Sequence, residues 1–250
     1  MARARVEAVS VTPPPLPGPA LMRQAWLDLT FVHWRVDPAD VAPLLPPGTV
    51  PDVHDGSSWL GLVPFRTSGG GLARGPAVPW LGAFAETNVR LYCVDVRGRR
   101  GVVFRTMEAA RLGFVLGARW TAGLPYAWAR MRVVERDGVL TYTSRRRWPR
   151  SPAASARVVV RPGAPRPAGD PLDAFLTARW ALHSERLGRT LYLRNRHEPW
   201  PLQDAELLAL DASLVDACAL PVGPRPPDSV LFSRGVHAVF GPPSTAPRDR

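Results

Sequence analysis

Proline interrupts this chain at 29 of its 250 positions, and glycine stands at 21 more. Proline removes a backbone donor and breaks a helix, while glycine supplies the conformations that tight turns need. Breakers at this density argue against a helix bundle and for many short elements joined by turns. Segments rich in Val, Leu, Thr and aromatic residues predict strands over 24–36, 57–66, 84–96, 101–107, 126–135, 139–147, 190–197, 207–214 and 230–240, with a further short one over 157–161. Arg136-Asp137-Gly138 reads as a hairpin turn. Asp37 and Pro38 read as N-cap and first residue of a short helix reaching Leu45. A second helix is predicted over 171–187, capped by Asp170, with Leu172, Phe175, Leu176, Trp180 and Leu182 near helical spacing and Gly188 at its end. A third is predicted over 108–120. Strands, a helix, then more strands give an α+β fold on a mostly antiparallel sheet. Residues 1–22 read as a loose arm, 23–240 as a single domain and 241–250 as a flexible tail.

Charge narrows the chemistry. The formal net charge is +11, and every one of the 32 basic residues is arginine. Without lysine there is no side-chain amine for Schiff-base catalysis and no Walker-type phosphate loop. Codon bias towards Arg, Ala, Pro and Gly is a sufficient account of the arginines. They are scattered, the densest run being Arg145–Arg147, and no nucleic-acid-binding motif accompanies them, so nucleic acid is a disfavoured partner. Cys93 and Cys218 sit alone in apolar surroundings, as reduced buried thiols of a cytosolic protein do. No signal peptide and no span-length apolar run is present, so no membrane partner is expected. No two histidines have metal-ligand spacing, and neither a metal nor a cofactor is expected.

Three stretches could carry chemistry. FAETNVRLYCVD, from Phe84 to Asp95, alternates cleanly. One face carries Ala85, Thr87, Val89, Leu91 and Cys93; the other carries Phe84, Glu86, Asn88, Arg90 and Tyr92. An acid, an amide and a guanidinium thus share a face bracketed by aromatics. Glu86 and Arg90 stand too far apart on an extended strand to pair tightly, so a ligand could use all three. The plain alternative is a solvated strand face. Next, Gly123-Leu124-Pro125 forms a turn that aims Tyr126; a strand beyond it places Tyr126, Trp128 and Arg130 together, either at a site or as core aromatics. In RNRHEPWPL, His197 lies near Glu198 and Trp200. It is either an acid–base group or a histidine satisfied by a backbone carbonyl. His33, in FVHWR, shares a face with Phe31 and Arg35 and carries the same two readings.

Together, WLDLTFVHWRVDPADVAPLLPPGT, WLGLVPFR, FAETNVRLY, GVVFRTMEAAR, GLPYAWARMRV and RHEPWPL resemble, in order, the YqjF-like proteins, a bacterial family defined by a domain of unknown function. The resemblance runs from about Trp26 to Phe240. That family is similar in turn to acetoacetate decarboxylase, which implies an antiparallel β-barrel or cone with a few packed helices and a central cavity. The decarboxylase pattern sets adjacent lysines after a G-x-P turn. Here Gly123-Leu124-Pro125 is followed by Tyr126 and Ala127, so the covalent route does not carry over. The acid of the strand motif is retained as Glu86. The segment usually written S-L-D-A reads Thr106-Met107-Glu108-Ala109.

These readings converge on a small-molecule pocket for an anionic or carbonyl ligand. Glu86, Tyr126 and His197 are the candidate catalytic groups, and Asn88, Arg90, Arg130, His33 and Trp200 the candidate ligand-binding ones. The expected chemistry is non-covalent acid–base work; the alternatives are a binding module without turnover and an arginine-rich nucleic-acid binder, which requires one face dominated by arginines. Homo-oligomerisation stays open. Borohydride trapping with a β-keto acid should give no stable internal adduct by mass spectrometry; an adduct anywhere but the N-terminal amine contradicts the lysine-free reading.

Overall fold

A computed structural model describes residues 4–76, 78, 82–218 and 220–245. Its described residues form one sheet of thirteen strands. These are β1 (Met22–Val36), β2 (Thr49–Pro51), β3 (Ser58–Leu72), β4 (Phe84–Asp95), β5 (Arg100–Ala109), β6 (Tyr126–Arg136), β7 (Val139–Trp148), β8 (Ser155–Pro165), β9 (Ala181–Arg186), β10 (Arg189–Arg196), β11 (Leu202–Asp211), β12 (Ser229–Phe240) and β13 (Ser244–Thr245). Four helices accompany them: α1 (Pro38–Val41), α2 (Leu112–Ala122), α3 (Pro171–Thr177) and α4 (Ser213–Asp216). All pairings are antiparallel except β5 with β6 and β5 with β9. Because β5 also pairs with β4, and β10 with β12, the sheet closes back on itself.

Local chemistry explains the turns. Asp137 and Gly138 both take positive φ between β6 and β7, the backbone of a two-residue hairpin. Asp37 accepts from the Ala39 N–H and caps α1, which passes into a 3-10 turn over Ala42–Leu44. Asp170 accepts from the Leu172 and Asp173 N–H groups and caps α3.

Three elements differ from the sequence reading. The helix expected over 171–187 stops at Thr177, and Ala181–Arg186 leaves it to form β9 between β5 and β10. Trp180 and Leu182 fit a strand as well as a helix face, a standard ambiguity of short apolar runs. Leu187 and Gly188, both at positive φ, make a hairpin turn and not a helix end. The helix expected over 108–120 begins only at Leu112, because Glu108 and Ala109 extend β5. The strand expected over 207–214 runs instead from Leu202 to Asp211, and residues 213–216 turn helical as α4.

Closure gives the sheet two buried sides. Val32 and Trp34 of β1, Leu60 and Leu62 of β3, and Val89 and Leu91 of β4 join Leu140, Val158 and Phe232 in one core. The intervening residues Leu29, Phe31, Val63 and Phe65 enter a second cluster, while Trp59 and Tyr92 pack with Phe175 and Leu176 of α3. Strand β4 is therefore buried on both faces. Residues 4–21, expected as a loose arm, have no regular element but are tied to the body: Glu7 N–H donates to the Gly98 carbonyl, and the Trp180 indole donates to the Ser10 carbonyl. Of the expected tail, Ser244 and Thr245 pair with β10, and residues 246–250 lie outside the described residues.

Candidate functional site

The polar face of β4 opens into a cavity of about 470 Å³. Glu86, Asn88 and Arg90 line it, joined by Tyr126 from β6, Asn195 from β10 and Trp200. Most of the remaining wall is apolar, including Trp26, Phe65, Phe104, Leu182 and Phe240, and α2 contributes Phe114, Gly117, Ala118 and Thr121. Gly123 ends α2 at a φ of 64°, where a Cβ would stand 2.9 Å from the Glu185 carbonyl, so glycine is needed for both backbone and space. The turn then places Tyr126 beside Met107 of β5. Gly61, opposite Arg90 on β3, lets the Arg90 stem and the His33 ring approach: a Cβ there would lie 3.3 Å from Arg90 Cγ and 3.0 Å from the ring.

Glu86 is 3% exposed. Burial pushes its carboxyl up to about 8, against the smaller opposing pull of hydrogen bonds from Tyr126 and Asn88. The Tyr126 hydroxyl donates to Glu86 Oε2 at 3.2 Å. Burial and the neighbouring acid hold that phenol well above its usual range, so it stays a neutral donor. Asn88 Oδ1 and Asn195 Oδ1 are both buried without a hydrogen-bond partner among the described residues.

Arg90 is 9% exposed, and no carboxylate among the described residues lies within 4.0 Å of it. Its Nε donates to the Tyr92 hydroxyl at 3.1 Å and Nη2 to the Leu176 carbonyl at 2.8 Å. The guanidinium carbon lies 5.5 Å from the Phe31 ring centroid and 5.4 Å from that of Tyr92. Its remaining N–H donors have no partner among the described residues. Behind it, the Tyr92 hydroxyl donates to the same Leu176 carbonyl at 2.9 Å and meets His33 Nε2 at 2.7 Å. With the tyrosine proton on the carbonyl, His33 carries its own on Nε2, which matches an unpartnered Nδ1. Burial, then Arg90 and Arg179, hold His33 well below its usual value.

The structure thus brings Glu86, Asn88, Arg90, Tyr126 and Trp200 to one cavity, with His33 one residue behind Arg90. It does not bring His197 or Arg130 there. His197 Nδ1 lies 2.6 Å from the Glu198 carbonyl, and its ring sits among Trp26, Trp180 and Trp200 at 4.5–5.6 Å. Burial lowers it to about 4, so it is a neutral packing group behind the wall. Arg130 is exposed: it shares one face of β6 with half-buried Trp128, and that face turns to solvent beyond Tyr126, while Ala127 and Ala129 on the other face are buried. It lines a surface depression with Trp128, Arg145, Arg146, Arg147 and Arg150.

Sequence reasoning missed Asn195, which lacks any local signal, and Tyr92, whose role depends on α3. It also missed a buried Cys93–His183–Asp95 row: Sγ to Nδ1 is 3.3 Å and Nε2 to Oδ2 is 3.5 Å. The composition is that of a nucleophilic triad, but burial pushes the Cys93 thiol far up, which leaves no thiolate to attack. Glu108 points away from the cavity and pairs with Arg146 at 2.6 Å and with the Thr106 hydroxyl at 2.8 Å. No group of three or more His, Cys, Asp or Glu among the described residues could hold a metal ion. No helix among them is long and apolar enough to cross a membrane.

A closed, mostly antiparallel sheet around a central cavity defines an acetoacetate decarboxylase-like fold. An acetoacetate decarboxylase-like enzyme from Sphingomonas wittichii RW1 superposes with a TM-score of 0.62 at 17% identity, covering 92% of this chain and 94% of that one. Acetoacetate decarboxylase from Legionella pneumophila also gives 0.62, at 13% identity, covering 94% and 93%. At these identities the likeness shows the fold alone. The sequence is closer to another set: the model of the DUF2071 family, described as an uncharacterized conserved protein, matches residues 23–237, and the chain belongs to that family. The uncharacterized protein YqjF of Bacillus subtilis (strain 168) is 34% identical over 188 residues, 74% of this chain and 76% of that protein.

The raised Glu86 carboxyl makes a stability prediction. The folded protein keeps a proton that the unfolded chain releases above about pH 4.5, so this group's contribution falls as pH rises and levels off above about pH 8. His197 has the opposite sign, its contribution being lost as pH falls from about 6.5 towards 4. Between pH 6.5 and 8 the wild type should therefore lose roughly 1–2 kcal/mol relative to Glu86→Gln, which cannot ionise. Denaturant unfolding of both proteins across that window checks this; parallel curves would show that Glu86 is not shifted.

Proposed function

We propose that this protein performs non-covalent acid–base chemistry on a small carbonyl-containing carboxylate. One observation carries the reading: a carboxyl poised near pH 8 shares an apolar cavity with a buried guanidinium that has no carboxylate partner among the described residues. Perturbed acids in clefts mark functional sites, and a base is most effective when its pKa lies near the working pH. Arg90 holds the substrate carboxylate through its free N–H donors. Glu86, roughly one-tenth ionised at pH 7, takes the proton from carbon next to the carbonyl. Tyr126, a neutral phenol, donates to the oxygen on which charge develops. The decarboxylase-named fold neighbours support a carbonyl substrate by analogy only. The free, buried cysteines fit a cytosolic setting.

Proton NMR in deuterium oxide tests the reading with a panel of 2- and 3-oxo acids. Wild type should exchange the carbon-bound proton, with kcat/KM rising about tenfold per pH unit up to about pH 8 and flat above. Glu86→Gln should lower exchange by about 10²–10⁴-fold with binding retained. Binding without exchange by the wild type would favour the non-catalytic binding module.

A second reading rests on a separate observation. Arg130, Arg145, Arg147 and Arg150 line one depression with no acidic residue in its wall, and the Arg147 guanidinium lies 5.5 Å from the Trp128 ring centroid. A basic groove with an aromatic platform suits single-stranded nucleic acid. Fluorescence anisotropy with a labelled oligonucleotide should then show salt-sensitive, sequence-blind binding that Arg145→Glu with Arg147→Glu abolishes. Equal binding by that double variant would remove the reading.

A further inference from the structure

We infer that the cavity's ligand is an amphipathic monocarboxylate: one carboxylate for Arg90 and an apolar tail of at least hexyl length. The inference rests on the proposed function only for where the ligand sits, and it commits to a ligand class whether or not turnover follows.

Charge sets the head. Among the described residues the cavity presents a single cation, Arg90. The other deeply buried guanidinium nearby, Arg179, already pairs with Asp52 at 2.5 Å. One negative charge balances the cavity; a dianion would leave a buried charge uncompensated, which is costly. Glu86 keeps its proton at neutral pH and so does not repel that anion.

Volume and wall chemistry set the tail. About 470 Å³ falls in the range that holds drug-sized ligands. A four-carbon oxo acid would leave most of Trp26, Phe65, Phe104, Phe114, Leu182 and Phe240 uncovered. Those side chains form a continuous apolar lining whose only evident use is to bury hydrocarbon. Helix α2 borders this space with Phe114 and the smaller Gly117, Ala118 and Thr121. Gly117 is exposed at its rim, and a Cβ there would meet no atom within 4 Å.

Calorimetry on the full chain tests this with butyrate, hexanoate, octanoate, decanoate and methyl octanoate. Affinity should rise about three- to fourfold per methylene from butyrate to octanoate. Methyl octanoate should bind at least about tenfold more weakly than octanoate. Gly117→Phe should shorten the cavity, so that decanoate loses about tenfold or more while butyrate is unchanged. Affinity independent of chain length, or an ester equal to its acid, would overturn the inference, and the wild-type series decides this without the variant. The two proposals fail separately. Chain-length-dependent binding without proton exchange leaves this inference standing and removes the catalytic one; exchange on short oxo acids with no chain-length dependence does the reverse.

Discussion

Keeping a guanidinium out of water without a carboxylate beside it is the constraint on which the cavity side of this fold depends. Such a charge persists only if every available dipole is turned towards it. Arg90 of β4 obtains that support from the Tyr92 hydroxyl, the Leu176 carbonyl and the faces of Phe31 and Tyr92. Those groups come from β1, β4 and α3, so one side chain ties three distant segments together. The end of α3 is central. A helix leaves its last carbonyls without intrahelical partners, and here each finds a use. The Phe175 carbonyl accepts from Arg179, Leu176 from Arg90 and Tyr92, and Thr177 from the Trp200 indole. A helix continued to residue 187 would consume those acceptors and leave Arg90 unsupported.

The same charge sets the state of its neighbours. Burial first, and then Arg90, keep His33 and His197 neutral. Glu86 lies four residues from Arg90 along β4, with Asn88 between them, and makes no ion pair with it. Its carboxyl is therefore governed by desolvation and not by the guanidinium. Had Glu86 and Arg90 met, each would have neutralised the other, leaving a structural salt bridge of the kind Glu108 makes with Arg146. Separation along the strand is what keeps one group protonated and the other open to an anion.

How much of this was legible depended on whether the signal was local. The alternation in FAETNVRLY placed Glu86, Asn88 and Arg90 on one face, because side-chain direction in a strand has a period of two. The alternation could not say that this polar face is buried as well as the apolar face of Val89 and Leu91, since that follows from closure of the sheet through β4–β5 and β10–β12. His197 looked catalytic because Glu198 and Trp200 are near in sequence. In space the carbonyl of Glu198 satisfies the ring, and three indoles surround it. Arg130 does share a face of β6 with Tyr126 and Trp128, but that face opens to solvent past Tyr126 and leaves the guanidinium outside the cavity.

By itself the sequence determined the strand-rich class, the turns at Asp137-Gly138 and Gly123, the caps at Asp37 and Asp170, the shared face of β4 and the absence of any lysine nucleophile. Each of these follows from backbone sterics, short-range hydrogen bonding or composition. Only the tertiary structure decided where α3 stops, that β9 departs from it, that Tyr126 and Asn195 reach the same cavity as Glu86, and that Arg90 has no carboxylate partner among the described residues. Those outcomes turn on which buried polar groups find partners across long separations in the chain, and the free energy of that matching is not encoded in any one segment.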